Sequence, residues 1–346
     1  MQLFEIDPLS DHRWDDLVAS HTKSSVFHRT GWLKALAETY GFRPMALTSS
    51  PPGEPLADGI AFCEVKSWIT GRRLVSLPFS DHAEPLLSGE GAQFELAEWM
   101  RNECRQRGWK YVEFRPLSGE VNSSQDLVPS GTFWLHALDL TPSLEDLFCG
   151  MHKSCLQRRI RHAERQQMTY ERGVSPKILG EFYRLLMLTR RRFRLLPQPR
   201  IWFRNLVACM GADAQVRVVR KGGEAIAAIL TLTHRGTVVY KYGCSDERFH
   251  PLAGMPLLFW RLIQESKSDG AELLDFGRTD KENDTLMGFK DHFGTRRTTL
   301  NYFRYSGSAR SAGTSLLNLA GARKLFSVLP GSLSSTLGRL AYRHIG

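Results

Sequence analysis

The sequence contains no CxxC pair, no long apolar run and, beyond Asp291, no acidic residue. Each absence excludes a class. Six scattered cysteines (Cys63, Cys104, Cys149, Cys155, Cys209 and Cys244) form neither a zinc-ribbon spacing nor a disulfide framework, which points to reduced thiols in a cytoplasm. Without a stretch of about 18 apolar residues, no transmembrane helix is expected. Met1–Pro8 lacks a basic segment followed by an apolar one, so no secretory signal is expected. His28, His82 and His292 stand isolated in the sequence, and no His, Asp or Glu group has metal-ligand spacing; no metal is expected.

What is present is an ordinary globular composition, 42% hydrophobic and 24% charged, over 346 residues. That length suggests two domains or one duplicated domain. The net charge of +10 is unevenly placed. Arg296, Arg297, Arg304, Arg310, Arg323, Lys324, Arg339 and Arg343 follow the last acidic residue, and a second basic cluster runs from Lys153 to His162. Such clusters attract phosphate-bearing partners: nucleic acid, nucleotide-linked sugars, coenzyme A or anionic lipid headgroups.

Strand and helix signals alternate along the chain, as in an α/β protein. Helices are expected over 11–20, 30–40 (with Thr30 as N-cap and Gly41 as stop), 94–107, 144–165, 182–193, 202–210 and 256–267. Strands are expected over 44–47, 56–65, 73–77, 110–115, 216–219, 225–233, 236–246 and 272–276. Gly71–Asp81 matches Gly236–Asp246, and Arg107–Phe114 matches Asp269–Phe276, at offsets of 165 and 162 residues. Matched segments in one order at nearly one offset indicate an internal duplication. The expected division is 1–140, 141–305, and a basic amphipathic tail, 306–346, with helical pieces at 315–327 and 332–344.

Glu272–Lys281 reads as a buried strand whose apolar residues stop at Asp275 and Arg278, as at the edge of a cleft. A short aromatic and basic turn, Met287–Gly294, follows. Asp275-Phe-Gly277 is not a kinase signature, because neither a glycine-rich phosphate loop nor a His-Arg-Asp loop accompanies it. Lys290, between Phe289 and Phe293, is suited to stabilise a developing oxyanion, or is simply a solvated turn lysine. Asp275 serves either as a base whose pKa burial would raise or as a strand-end carboxylate paired with Arg278. Arg158 and Arg161 share a helix face, with Arg159 beside them, and their guanidinium forks suit a diphosphate; a solvated stripe is the other reading. Tyr242 is either a donor to a leaving group or a core tyrosine with a polar tip.

The repeated unit, the basic helix Arg158–Ala163, the strand end Tyr240–Asp246, the Asp275-Phe-Gly-Arg278 phrase and Gly288–Gly294 together resemble the Fem-type (FemAB-like) branch of the GNAT acetyltransferase superfamily. In particular they resemble the CelD-like acyltransferases associated with exopolysaccharide clusters. The resemblance covers roughly residues 20–305. It implies an α/β fold of tandem duplicated GNAT-like domains with mixed sheets flanked by helices. It also implies transfer of an acyl group from acyl-CoA, as co-substrate rather than permanent cofactor, to an amine or hydroxyl of a cell-envelope intermediate. An aminoacyl-tRNA donor is the alternative, and a non-catalytic module binding RNA or a membrane surface the second.

Lys290, Asp275 and Tyr242 are the expected catalytic residues, Lys290 and Tyr242 with support from this resemblance. Arg158, Arg161, Asp246, Arg278 and Phe289 are expected to contact a phosphate-bearing small-molecule or lipid-linked substrate. Arg248–Gly254 occupies the place of the pyrophosphate loop, of which Gly254, before Pro256, retains the pattern. The location expected is cytoplasmic, with peripheral membrane contact through the tail.

Overall fold

In the computed structural model, residues 2–87, 92–117, 127–306, 338 and 341–344 are described. They divide into two compact units, one drawn from 1–133, 299–306 and 338–344, the other from 134–298. Strand β1 (Phe4–Ile6) leads through helices α1 (Arg13–Ser20) and α2 (Thr30–Tyr40) to β2 (Arg43–Thr48), β3 (Ile60–Ser67) and β4 (Gly71–Val75). Helix α3 (Ala92–Arg107) then returns the chain to β5 (Val112–Phe114). The chain enters the second unit within β6 (Leu127–Asp139), followed by α4 (Leu144–Gly150), α5 (Arg158–Glu164) and β7 (Thr169–Gly173). Next come α6 (Pro176–Arg192), α7 (Arg200–Met210), β8 (Ala214–Lys221), β9 (Glu224–His234) and β10 (Thr237–Ser245). Helix α8 (Gly254–Ser268), β11 (Leu273–Asp280), α9 (Asp284–Asp291) and β12 (Arg296–Tyr305) complete the order.

The sequence repeat is visible as a repeated topology. The first unit has strand order β1-β2-β3-β4-β5-β12, and the second β7-β8-β9-β10-β11-β6. In each, the first four strands are antiparallel neighbours, while the fourth and fifth run parallel. A parallel pair needs a crossover, and α3 and α8 supply it. Two helices separate the first and second strands in both units. The sixth strand is exchanged: the one that follows β5 in the chain lies beside β11, and the one that follows β11 pairs with β5.

Burial explains the strand composition. Ala225–Leu232 of β9 is buried residue after residue, so its near-continuous apolar run reads as a strand covered on both faces. The second unit's core gathers Phe259, Phe276 and Phe293; the first two stack with ring centres 5.2 Å apart. Each such burial contributes about 1.5–3 kcal/mol.

Three local expectations change. Thr30 is the first residue of α2 rather than its cap; Arg29 holds the cap position, and the Thr30 hydroxyl donates to Asp15 at 2.6 Å. The single helix expected over 144–165 breaks at Met151, whose backbone is extended, and resumes as a five-residue π-turn, Lys153–Gln157, before α5. Gly150 ends α4 and the His152 side chain caps the next turn, so local hydrogen bonding outcompetes continuity. Residues 284–291 form a helix rather than a turn, started by the Asn283 side chain accepting from the Leu286 amide.

The tail helix expected over 315–327 lies outside the described residues. Residues 341–344 are helical, and here Tyr342 packs edge-on against Phe79 while the His344 carbonyl accepts from Arg73 at 2.8 Å. These residues thus belong to the folded first unit. Among the described residues, no helix is long and apolar enough to cross a membrane.

Candidate active site

Strands β10 and β11 are paired only at Thr237–Leu273, Val238–Leu274 and Val239–Asp275, although both continue for several residues. Beyond that point they part. Where they part, β10 carries a bulge between Tyr240 and Tyr242 in its pairing with β9. An extra residue in a strand breaks the two-residue alternation of faces. Tyr240 and Tyr242, two apart, consequently go to different helices. Tyr240 packs on Phe259 of α8, with ring centres 4.7 Å apart. The Tyr242 ring meets Phe203 of α7 at 5.1 Å, and its hydroxyl accepts from the Trp202 indole N–H at 2.9 Å. A Cβ on Gly243 would stand 2.0 Å from the Tyr240 hydroxyl, so the absent side chain is what admits that ring.

The end of β10 leads to the start of α8. Helix α8 begins at Gly254, behind Ala253 in the left-handed region (φ 58°), and no side chain caps its first amides. A Cβ on Gly254 would come 3.2 Å from Ile226 and 3.4 Å from Ala227, so glycine lets the helix start sit close on β9. Pro256 in the first turn lacks an N–H, which the helix start does not need. Uncapped amides and the helix dipole favour an anion here.

Two arginines reach the loop that leads into it. Arg159 of α5 donates to the His250 carbonyl at 2.9 Å. The Arg192 guanidinium, at the end of α6, lies 3.4 Å from His250 Nε2. Since arginine only donates, Nε2 is the accepting nitrogen, and the Ser245 hydroxyl, 3.0 Å away, donates to it as well. Burial, and then Arg192, hold the His250 pKa below its ordinary value, which keeps the ring neutral. Thr189 of α6 is bonded to the backbone of Ser245 at 2.9 and 3.1 Å. Asp246 is buried and accepts from the Arg248 amide and side chain; those bonds hold its carboxyl below the usual range. It shapes the loop and is turned to Arg248 rather than outward.

The other expected residues have different surroundings. Lys290 is 2% exposed, and its ammonium donates to the Gly277 and Arg278 carbonyls at 2.8 and 3.0 Å. It ties α9 to the end of β11. Asp275 is buried and accepts the Gly277 amide at 2.6 Å, a local turn rather than a base held open. The Arg278 carbonyl serves Lys290. Phe289 stands edge-on to Phe259 and Phe293 at 5.6 and 5.3 Å, within the aromatic core. Arg158 is exposed, and Arg161 lies over the Phe148 ring at 5.2 Å, leaving Arg159 as the one of the three that reaches the loop. Helical position alone could not separate them.

Sequence reasoning passed over Arg192, His250 and the buried His136. Arg192 and His250 are 58 residues apart, so no spacing links them. His136, on β6, lies 3.4 Å from Thr279 Oγ1 and 3.4 Å from an Asp291 carboxylate oxygen. Its Nε2 is outside hydrogen-bond geometry, and burial, followed by the Lys290 charge, lowers its pKa to about 4. Nor is His292 isolated: its ring centre lies 4.7 Å from that of His152.

Residues 152–291 match the family model of an acetyltransferase (GNAT) domain. Among solved structures the chain is similar to FemX, with a TM-score of 0.70 and 14% identity over 88% of this chain and 97% of that one. It is also similar to L-PGS from Bacillus licheniformis, with a TM-score of 0.58 and 15% identity over 97% of both chains. A tandem GNAT protein from the clavulanic acid biosynthesis pathway aligns with a TM-score of 0.57 and 10% identity over 90% of this chain and 100% of that one. No match to a curated protein was found. The chain therefore has a tandem GNAT fold, and its second unit contains the region matched as an acetyltransferase domain.

Proposed function

We propose that the second unit transfers an acyl group from an acyl-CoA to an amine or hydroxyl acceptor. The carrying observation is the parting of β10 and β11 in line with the uncapped start of α8. The opening suits an extended pantetheine arm, whose amides would pair with strand edges left unpaired beyond Val239 and Asp275. The diphosphate sits at the first amides of α8, beside Arg159 and Arg192. The acceptor attacks the thioester carbonyl, its proton passes to a base or to water, and the coenzyme A thiolate leaves. The Ser245–His250 pair, with its Nε2 lone pair, is able to take a proton at the loop. The acceptor is envelope-derived in this reading, in keeping with the Fem-type resemblance.

A second donor, aminoacyl-tRNA, is favoured by the exposed Lys153 and Arg158 beside the same helix, which exceed what one diphosphate needs. Thermal shifts with acetyl-CoA, longer acyl-CoAs and charged tRNA separate the two donors. Stabilisation by an acyl-CoA, lost in Arg159→Ala/Arg192→Ala, supports the proposal. Stabilisation by charged tRNA alone replaces the donor, and no shift with any donor leaves a binding module and sinks the enzyme reading.

A further inference from the structure

We propose that His152, Cys155 and His292 form a binding site for a thiophilic divalent cation, of which zinc is the expected occupant. The three come from two distant parts of the sequence: the cap and first turn of the π-helical segment, and the residue after α9. One ligand atom from each lies within 4.8 Å of the others. A tetrahedral ion with metal–nitrogen and metal–sulfur distances of about 2.0–2.3 Å would need only a small inward movement.

The frame around the three is fixed. The His152 amide donates to the His292 carbonyl at 2.7 Å. A Cβ on Gly294 would come 3.2 Å from the Gly150 carbonyl, so two glycine backbones run close together just beside the cluster. Leu156 and Phe293, each following a ligand, are buried anchors. Single π-turns are often found where a side chain must be aimed rather than packed. Here the turn presents Cys155 toward the two imidazoles.

Two imidazoles and a thiolate select a borderline or soft ion over magnesium or calcium. With three protein ligands, the fourth position is taken by water. On binding, the Cys155 thiol loses its proton to solvent, the sulfur–metal bond forms, and the ion sheds waters. Present bonds must change: His152 Nδ1 accepts the Cys155 amide at 3.2 Å and lies 3.4 Å from the Ser154 hydroxyl. Whether Nδ1 gives its lone pair to the ion or carries the ring proton while Nε2 binds, it can no longer accept that amide. Loading therefore exchanges a helix cap for a clip between the π-turn and the end of α9.

The test is titration of the full-length, metal-stripped protein with cobalt(II), then displacement by zinc, followed by absorbance. The wild type is expected to bind one equivalent, with a near-ultraviolet thiolate-to-cobalt band and visible bands of a tetrahedral ion. Cys155→Ser removes the thiolate band, His292→Ala weakens binding roughly tenfold or more, and Cys149→Ser retains both. Circular dichroism of the metal-free variants confirms that they are folded. Absence of a stoichiometric band in the wild type, or its persistence in folded Cys155→Ser, overturns the site, as does its loss in Cys149→Ser.

Discussion

Replacing Lys290 by methionine tests whether this lysine is a structural tie or a catalytic group. The substitution keeps most of the stem, so it leaves only a small cavity, but it removes the donor to two backbone carbonyls. A hydrogen bond from a charged donor contributes about 1.5–3 kcal/mol, and a buried acceptor left without a partner costs about 1–3 kcal/mol. The Gly277 carbonyl is buried, whereas Arg278 is part-exposed and water can replace the donor there. The expected loss is therefore about 3 kcal/mol rather than the sum of both bonds. With a urea dependence of about 1–3 kcal/mol per molar, the first unfolding midpoint falls by roughly 1–3 M. Urea titration followed by tryptophan fluorescence measures it, with donor-induced thermal shift recorded on the folded variant. A midpoint unchanged from wild type together with abolished transfer would refute the structural role and restore Lys290 to the chemistry.

Gly243→Ala forces the Tyr240 ring from its place against Phe259, with an expected cost of about 1–3 kcal/mol. Tyr240→Phe in the same chain removes the 2.0 Å clash, so a double-mutant cycle by chemical denaturation is expected to show partial rescue, and additive losses would reject the contact. His136 supplies a pH dependence. Its folded pKa of about 4 lies below the ordinary 6.5, so the unfolded chain binds the proton first and stability falls as pH drops from 6.5 toward 4. The contribution is about 3 kcal/mol, and replacing His136 with glutamine is expected to flatten the slope of unfolding free energy across that window. A slope the same in both proteins rules His136 out as its source.

The fold was legible because its signals are local or periodic. Strand and helix patterns, and a repeat spaced 162–165 residues, survive in the sequence and correspond to one strand order used twice. The strand exchange between repeats was not legible, since neither β6 nor β12 carries a mark of its partner. At the site, the polarity at the end of β11 that suggests a cleft edge reflects a set of internal bonds. Asp275 and Lys290 are polar where a cleft edge would be polar, yet both satisfy backbone groups of the turn itself. Arg192 and His250, which meet in the loop before α8, are 58 residues apart and are brought together by the fold rather than by any spacing.

Equivalent positions of the two units favour the second for the proposed chemistry. In the first unit, β4 and β5 pair at Leu74–Val112 and Val75–Glu113, and the chain beyond them is laced shut. The Ser76 amide donates to the Glu113 carbonyl at 2.8 Å, and the Ala83 amide donates to that of Arg115 at 2.7 Å. The Arg115 side chain donates to the Leu77 and Ser80 carbonyls at 3.1 and 3.2 Å, while Glu113 holds its guanidinium at 2.8 Å. By the repeat, Arg115 corresponds to Gly277 and Glu113 to Asp275. An arginine thus stands in one copy where the other has a glycine. A thioester arm entering the first unit would have to displace a half-buried, doubly bonded guanidinium, whereas in the second the strand pairing already ends at Val239 and Asp275. The same inheritance has been spent on closure in one copy and on an opening in the other.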